Sequence, residues 1–261
     1  MHSLYVEDNL NLVYKETEDS GDEINTGFNF SINPDVEITT LYVGNEQEPV
    51  VIVDNLLKHP EDLIRYAETG AAFQKETKDF YPGIRKSLTP DYAEAIYHQL
   101  TQTMGTVFGK KTTVNIKLLS SLLSLATTRT AELRPIQSVP HADSFLSNNI
   151  ASVHYLCDSQ FGGTSFYRHR STGFETLNSQ RIQQYAPKIK SEVMQLNKTS
   201  YEYINGDTEL FERIASVDAK FNRAIFYRSN ILHSANIPSN IYLGVRPKTG
   251  RLTANTLIVI D

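Results

Sequence analysis

The sequence predicts a mainly β fold with flanking helices (α+β), built around a sandwich or barrel of the jelly-roll kind. Three observations point there. Beyond Gly109 the chain breaks into short segments rich in Val, Ile, Leu, Thr and Tyr, separated by Gly, Asn and Pro, as many short strands at modest spacing require. Ahead of them, two stretches carry helix-start signals, and the second also has the apolar period of a helix. Finally, 261 residues with 40% apolar and 21% charged content suffice for a large core and exclude a disordered chain.

Residues 1–48 are polar, with Glu16, Glu18, Asp19, Asp22 and Glu23 clustered before Gly27-Phe28-Asn29-Phe30. They read as an N-terminal arm laid over the domain, with an early strand near Thr39–Val43, or equally as a solvated extension. Residues 49–261 read as a single domain. Val50–Asp54 is short, β-branched and continuously apolar, hence a buried strand. His59-Pro60-Glu61-Asp62 opens a helix running to about Gly70, because proline suits the first helical position and acids favour the positive end. Thr89-Pro90-Asp91 opens a second, whose Tyr92, Ile96, Leu100, Met104 and Phe108 form one apolar stripe for core packing.

The strands expected after it are Thr113–Leu119, Ile150–Cys157, Thr164–His169, Ile214–Ala219, Arg223–Tyr227 and Leu252–Ile260. Residues 174–212 interrupt them as a mostly helical insert, with Ile189, Val193 and Leu196 on one face and Leu210-Phe211 in a short later helix.

Composition narrows function. No apolar run is long enough to span a bilayer, and the N-terminus carries acid where a signal peptide needs base. One cysteine, Cys157, forbids an intrachain disulfide and fits a reducing compartment. A net charge of −5 argues against nucleic acid or anionic lipid as a partner, so the expected location is cytoplasmic. There is no nucleophile triad signature, no Gly-rich phosphate loop and no Cys-x-x-Cys.

Of seven histidines, only His141, in Pro140-His141-Ala142-Asp143, sits in a pattern with metal-binding potential. In an extended chain residues i and i+2 share a face, so imidazole and carboxylate can converge on one ion. A second histidine from a distant strand would complete the two-histidine, one-carboxylate face that holds non-haem Fe(II) and leaves positions open. His233, just after the apolar strand Ala224–Tyr227, is the best-placed candidate. His-x-Asp recurs by chance and a histidine beside an aspartate is more often a hydrogen-bonded surface pair, so the triplet needs its context.

That context is an ordered series: His141-x-Asp143, the strand Ala151–Leu156, Phe161-Gly162-Gly163-Thr164-Ser165-Phe166, then Asn222–Tyr227, His233, and Gly250-Arg251-Leu252-Thr253 entering the last strand. It resembles the 2-oxoglutarate- and Fe(II)-dependent dioxygenases, in their prolyl-4-hydroxylase-like branch. Val51–Leu57 and Phe80-Tyr81-Pro82-Gly83-Ile84-Arg85 look like an uncharacterised bacterial group of that branch. The resemblance spans roughly residues 50–260 and implies a double-stranded β-helix, the cupin-like jelly roll.

It further implies that His141, Asp143 and His233 are the iron ligands and catalytic centre. Arg251 would pair with the distal carboxylate of 2-oxoglutarate, since a guanidinium fork fits a planar carboxylate. Thr253 and Tyr155 would add hydroxyl contacts to the cosubstrate, and Gly162-Gly163 would mark the turn beneath the site. The interval from His233 to Arg251 is longer than the branch's pattern, so Arg246 remains a rival; Arg251 is preferred because it leads into a β-type run, whereas Arg246 precedes Pro247 in a loop.

The implied reaction consumes Fe(II)-bound 2-oxoglutarate and O2, releases succinate and CO2, and hydroxylates a small molecule or peptide. Asp143 favours hydroxylation, because related halogenases put a small residue there. The alternative is a non-catalytic cupin-like module that binds a ligand or metal without turnover. His154 is expected to face away from Tyr155 in a structural role, Arg168-His169-Arg170 to be a solvated cluster, and Cys157 to pack as a small hydrophobe.

Overall fold

The computed structural model describes residues 27–75, 80–109, 115–196 and 200–261. The acidic cluster at 16–23 and the first residues of the strand expected from Thr113 lie outside them. The fold is mainly β with a few helices, and its ten described strands form two antiparallel sheets that pack as a β-sandwich.

The strands are β1 (Glu37–Val43), β2 (Glu48–Asp54), β3 (Gly83–Ser87), β4 (Ile116–Ala126), β5 (Asn149–Tyr155), β6 (Thr164–His169), β7 (Phe211–Val217), β8 (Arg223–Arg228), β9 (His233–Ala235) and β10 (Arg251–Ile260). The large sheet runs β1-β2-β8-β5-β10-β4-β3 and the small one β7-β6-β9. The helices are α1 (Glu61–Glu68), α2 (Pro90–Met104) and α3 (Arg181–Gln195).

Alternation along each strand sorts the side chains into layers. Leu123, Leu125, Leu252, Ala254 and Ile258 face outward from the large sheet and pack with Leu63 of α1, with Tyr92, Ile96, Leu100 and Met104 of α2, and with Phe108 of the π-helical turn that follows it. Val50, Val153, Tyr155, Ile225 and Tyr227 face inward and meet Phe166 and Val217 of the small sheet. The outer face of the small sheet is closed by α3, where Tyr185 and Ile189 pack on Tyr167, Phe211 and Leu232. The candidate site lies between the two sheets.

Two sequence expectations need correction. Among the described residues of 174–212 only Arg181–Gln195 is helical, and Phe211, expected in a short helix, opens β7 instead. Phe211 pairs with His169 across the ladder and is buried against Tyr185's cluster, so strand pairing outweighs its helical context. β3 and β9 had no expectation of their own: β3 is only five residues long with Arg85 and Lys86 inside it, and β9 only three.

His154 does face away from Tyr155, yet it is fully buried beneath α2. Tyr92 donates its hydroxyl to Nδ1 at 2.9 Å, and Nε2 lies 3.1 Å from the Asn222 side-chain oxygen. Since Asn222 uses its amide hydrogens on the Leu57 carbonyl, the imidazole is neutral and protonated on Nε2. Burial pushes its pKa down to about 4. The Arg168-His169-Arg170 run is bound within the fold: Arg168 pairs with Glu175 and Glu212, His169 with Glu192, and Arg170 with Asp207. Cys157 is buried, and burial pushes its thiol up to about 11, so it is inert at neutral pH.

Candidate metal centre

A pair of backbone hydrogen bonds brings the two histidines together. His141 donates its N–H to the His233 carbonyl at 2.9 Å, and His233 returns the bond to His141 at 2.9 Å. The Asp143 N–H donates to the Ser229 carbonyl at 2.8 Å, fixing the next turn of the same segment. On its other side β9 pairs with β6, His233 opposite Phe166, so the site is anchored to the small sheet. The His-x-Asp segment thus lies along β9 as an isolated bridge, extended enough for His141 and Asp143 to share a face.

The ligand-capable atoms of His141, Asp143 and His233 all lie within 4.8 Å of one another. Asp143 Oδ1 is 3.3 Å from His141 Nε2, and Oδ2 is 3.5 Å from His233 Nε2. Neighbouring positions of an octahedron with bonds of about 2.1 Å are roughly 3.0 Å apart, so the two carboxylate–imidazole separations are close to that spacing, while the set as a whole must draw in further to close on one ion. His233 Nδ1 donates to the Ile231 carbonyl at 2.9 Å, which fixes the tautomer and turns the Nε2 lone pair toward Asp143. Burial pushes the His233 pKa down to about 4, against the pull of Asp143, so its imidazole is neutral and ready to ligate.

Burial would raise the Asp143 carboxyl, but His233, a hydrogen bond and charge from His141, and the charge of Arg85 together hold it well below the usual carboxylate range. It is ionised at neutral pH. His233 is 6% exposed, whereas the side chains of Asp143 and His141 keep 36% and 52% exposure. The cluster is therefore open to solvent on the Asp143 and His141 side rather than sealed in a core, and the residues present fit a hard or borderline cation with open positions.

Inside the sandwich, Arg251 is 3% exposed, and no carboxylate pairs with it among the described residues. Its Nε donates to the Phe161 carbonyl at 3.1 Å and Nη2 to the Gly163 carbonyl at 3.0 Å, leaving Nη1 without a hydrogen bond there. A buried cation without a counter-ion is costly, and an anion held against this guanidinium would relieve that cost. Arg246 is exposed in the loop before β10. Gly163 sits at this turn because a β-carbon would fall 1.9 Å from the Val217 carbonyl oxygen.

Thr253 lies opposite Tyr155 in the ladder and shares the inner face with Arg251. Both hydroxyl protons are engaged within the fold: Thr253 donates to the Asn255 side chain at 2.8 Å and Tyr155 to Thr164 Oγ1 at 2.7 Å. Thr164 accepts that bond, so its own proton is available to a ligand. Tyr227 is also inner-facing; burial raises its pKa far above the usual value, and the charges of Asp143 and Arg251 both act on it. Its ring packs 4.8 Å from His233. Thr164 and Tyr227 were not readable as site residues, because nothing local distinguishes a strand threonine or tyrosine facing a ligand from one facing a core.

The sandwich with a possible His/Asp/His metal site defines the class of molecule, and the comparisons with known proteins add a family. The chain belongs to the Family of unknown function (DUF6445), whose model matches residues 34–258. It is also similar to the crystal structure of EvdMO1, at 12% identity and a TM-score of 0.39, over 85% of this chain and 55% of that one. The chain thus spans about half the length of that protein, and a likeness so distant bears on neither activity nor fold detail. No curated protein matches the sequence.

Proposed function

We propose that the chain is an Fe(II)- and 2-oxoglutarate-dependent oxygenase of jelly-roll architecture that hydroxylates a small molecule or peptide. The observation that carries this reading is the pairing, inside one sandwich, of a His141/Asp143/His233 cluster with a buried Arg251 that has no carboxylate partner among the described residues. A metal site alone does not need that arginine, and a folded core alone would avoid it. Bound iron and cosubstrate would supply the oxidising power, with 2-oxoglutarate and O2 converted to succinate and CO2 as the substrate is hydroxylated.

The rest of the work falls to the chain. Asp143 contributes the anionic ligand, and the Ile231 carbonyl keeps His233 in the ligating tautomer. The carbonyls of Phe161 and Gly163 fix the Arg251 fork so that a carboxylate meets a preset donor at little entropic cost. Thr164, which accepts from Tyr155, would offer its own hydroxyl proton there, and the charges of both Asp143 and Arg251 act on Tyr227. The described apolar residues Tyr81, Tyr203, Ile237, Ile241 and Leu243 pack beyond Ala126, at the β10 end where Arg251 lies, and would help keep water from the cosubstrate.

The test is an anaerobic titration of metal-free protein with Fe(II) and 2-oxoglutarate, followed by visible absorption. A weak charge-transfer band that needs both additives is expected, followed by succinate release on admitting O2. Folded protein that gives no band rules the oxygenase out and leaves a non-catalytic ligand- or metal-binding module.

A further inference from the structure

The two sheets end in four edge strands, and three of them carry the features that keep an edge from pairing further. β3 is five residues long, includes Arg85 and Lys86, and is bridged along its free side by Gln74. β7 carries Glu212 and Arg213, and its register with β6 slips at Ile214. β9 is three residues long and is bridged by His141. β1 has none of these. Its seven residues, Glu37-Ile38-Thr39-Thr40-Leu41-Tyr42-Val43, pair with β2 in unbroken register, and the single charge stands at the first position. Among the described residues nothing pairs with its other edge or hydrogen bonds along it.

β1 also exposes apolar side chains on both faces. Ile38 and Tyr42 lie opposite Val53 and Pro49, on the outer face of the large sheet, and are 42% and 63% exposed. Leu41 lies opposite Val50 on the inner face and is 39% exposed. Three of the eight exposed large apolar side chains among the described residues thus fall on one short strand. That strand is held firmly in place. At the β1–β2 turn the Asn45 and Glu46 N–H groups donate to the Glu175 carboxylate at 3.0 and 2.9 Å, and Arg181 donates to the Glu46 side chain at 2.7 Å.

The residue pattern says what would fit this edge, because β1 is complementary to itself. Antiparallel pairing about a two-fold axis at Thr40, the middle residue, uses the whole strand. Ile38 then lies opposite the partner's Tyr42, Tyr42 opposite the partner's Ile38, and Thr40 opposite the partner's Thr40. Opposed residues share a face, so the outer face gains two aromatic–β-branched pairs around a threonine pair, all favoured cross-strand combinations. Glu37 meets the partner's Val43, so no like charges are opposed. Moving the axis one residue either way shortens the pairing and sets Ile38 or Tyr42 against Thr40. We propose that β1 is a self-association edge, through which two copies of the chain join by antiparallel β1–β1 pairing and merge their large sheets into one. A contact one strand wide is small beside the roughly 1,200–2,000 Å² of stable complexes, so the dimer is reversible and dissociates on dilution. It is independent of the chemistry at the metal centre.

Sedimentation velocity of the full chain over a wide concentration range should show a monomer–dimer equilibrium. Thr40→Lys sets two like charges directly opposite each other and should raise the dissociation constant about 5-fold or more. Thr40→Cys should give a disulfide-linked dimer on mild oxidation, because the two equivalent Cα atoms would lie about 5 Å apart. Glu37→Cys should not, since its copy would lie six residues along the pair, roughly 20 Å away. The native Cys157 is buried and takes no part. A chain that stays monomeric at every concentration would overturn the proposal, and that measurement needs no variant to fold. So would a dimer indifferent to Thr40→Lys, or one that cross-links at position 37 as readily as at 40. A monomer whose β1 amides all resist hydrogen exchange, those turned away from β2 included, would overturn it in favour of residues 1–26 of the same chain as the occupant.

Discussion

Replacing Arg251 by glutamine removes a buried guanidinium whose Nε and Nη2 hold the Phe161 and Gly163 carbonyls and whose Nη1 has no hydrogen bond among the described residues. Two consequences can be weighed separately. Leaving two buried carbonyls short of a donor costs about 1–3 kcal/mol of stability, which a urea melt would register. Losing the charge-assisted contact to the cosubstrate costs about 2–4 kcal/mol of binding. At 1.36 kcal/mol per decade, that is roughly a 30- to 900-fold rise in the 2-oxoglutarate concentration for half-saturation. The assay is the anaerobic charge-transfer titration, at a denaturant-free temperature where the variant is folded by circular dichroism. Arg246→Gln serves as control: its side chain is exposed, so its effect should stay below about 2-fold. An unchanged half-saturation in Arg251→Gln, or a larger effect at Arg246, would refute the assignment of the carboxylate anchor.

Three other outcomes follow from the geometry. Asp143→Ala should abolish Fe(II)-dependent succinate formation and weaken Fe(II) binding by more than the roughly 10–100-fold typical of outer-shell changes, as read by metal titration; unchanged turnover would mean the wrong ligand. Gly163→Ala should cost about 3 kcal/mol or more in a urea melt, because the new Cβ meets the Val217 carbonyl oxygen at 1.9 Å, and it should also raise cosubstrate half-saturation by shifting a carbonyl that holds Arg251. His154 links stability to pH. Its folded pKa, about 4, is below the ordinary 6.5, so its contribution is full above pH 6.5 and is lost as pH falls through 4, a loss of about 3 kcal/mol. Chemical melts of metal-free protein should decline less between pH 7 and pH 4 in His154→Gln; parallel slopes in the two proteins would refute the buried-neutral assignment.

The parts of this molecule that the sequence made legible are those with a local signature. Thr89-Pro90 and the five-residue apolar stripe placed α2 and its buried face, and β6 was bounded at Thr164 and His169 as observed. His141 and Asp143 were visible because two residues of an extended chain fix a common face, and the structure brings His233 beside them. What stayed hidden depends on partners distant in sequence. β9 is a strand only because β6 and the 141–143 segment pair with it. Thr253 and Tyr155 were expected to turn their hydroxyls to a cosubstrate, whereas Asn255 and Thr164 take up those protons within the fold.

The reciprocal bond between His141 and His233 has a consequence for how such a chain can diversify. Because it runs from main chain to main chain, the separation of the two Cα atoms does not depend on which side chains surround them, but it does depend on residue count. One residue inserted between His141 and Asp143 would turn a ligand to the opposite side, since strand faces alternate. The segments after β9 and around α3 are under no such restriction, for nothing in their length enters that bond. The molecule is thus divided into a short stretch whose spelling is rigid in length and long stretches free to be rewritten, so new recognition surfaces can be tried around an unchanged centre.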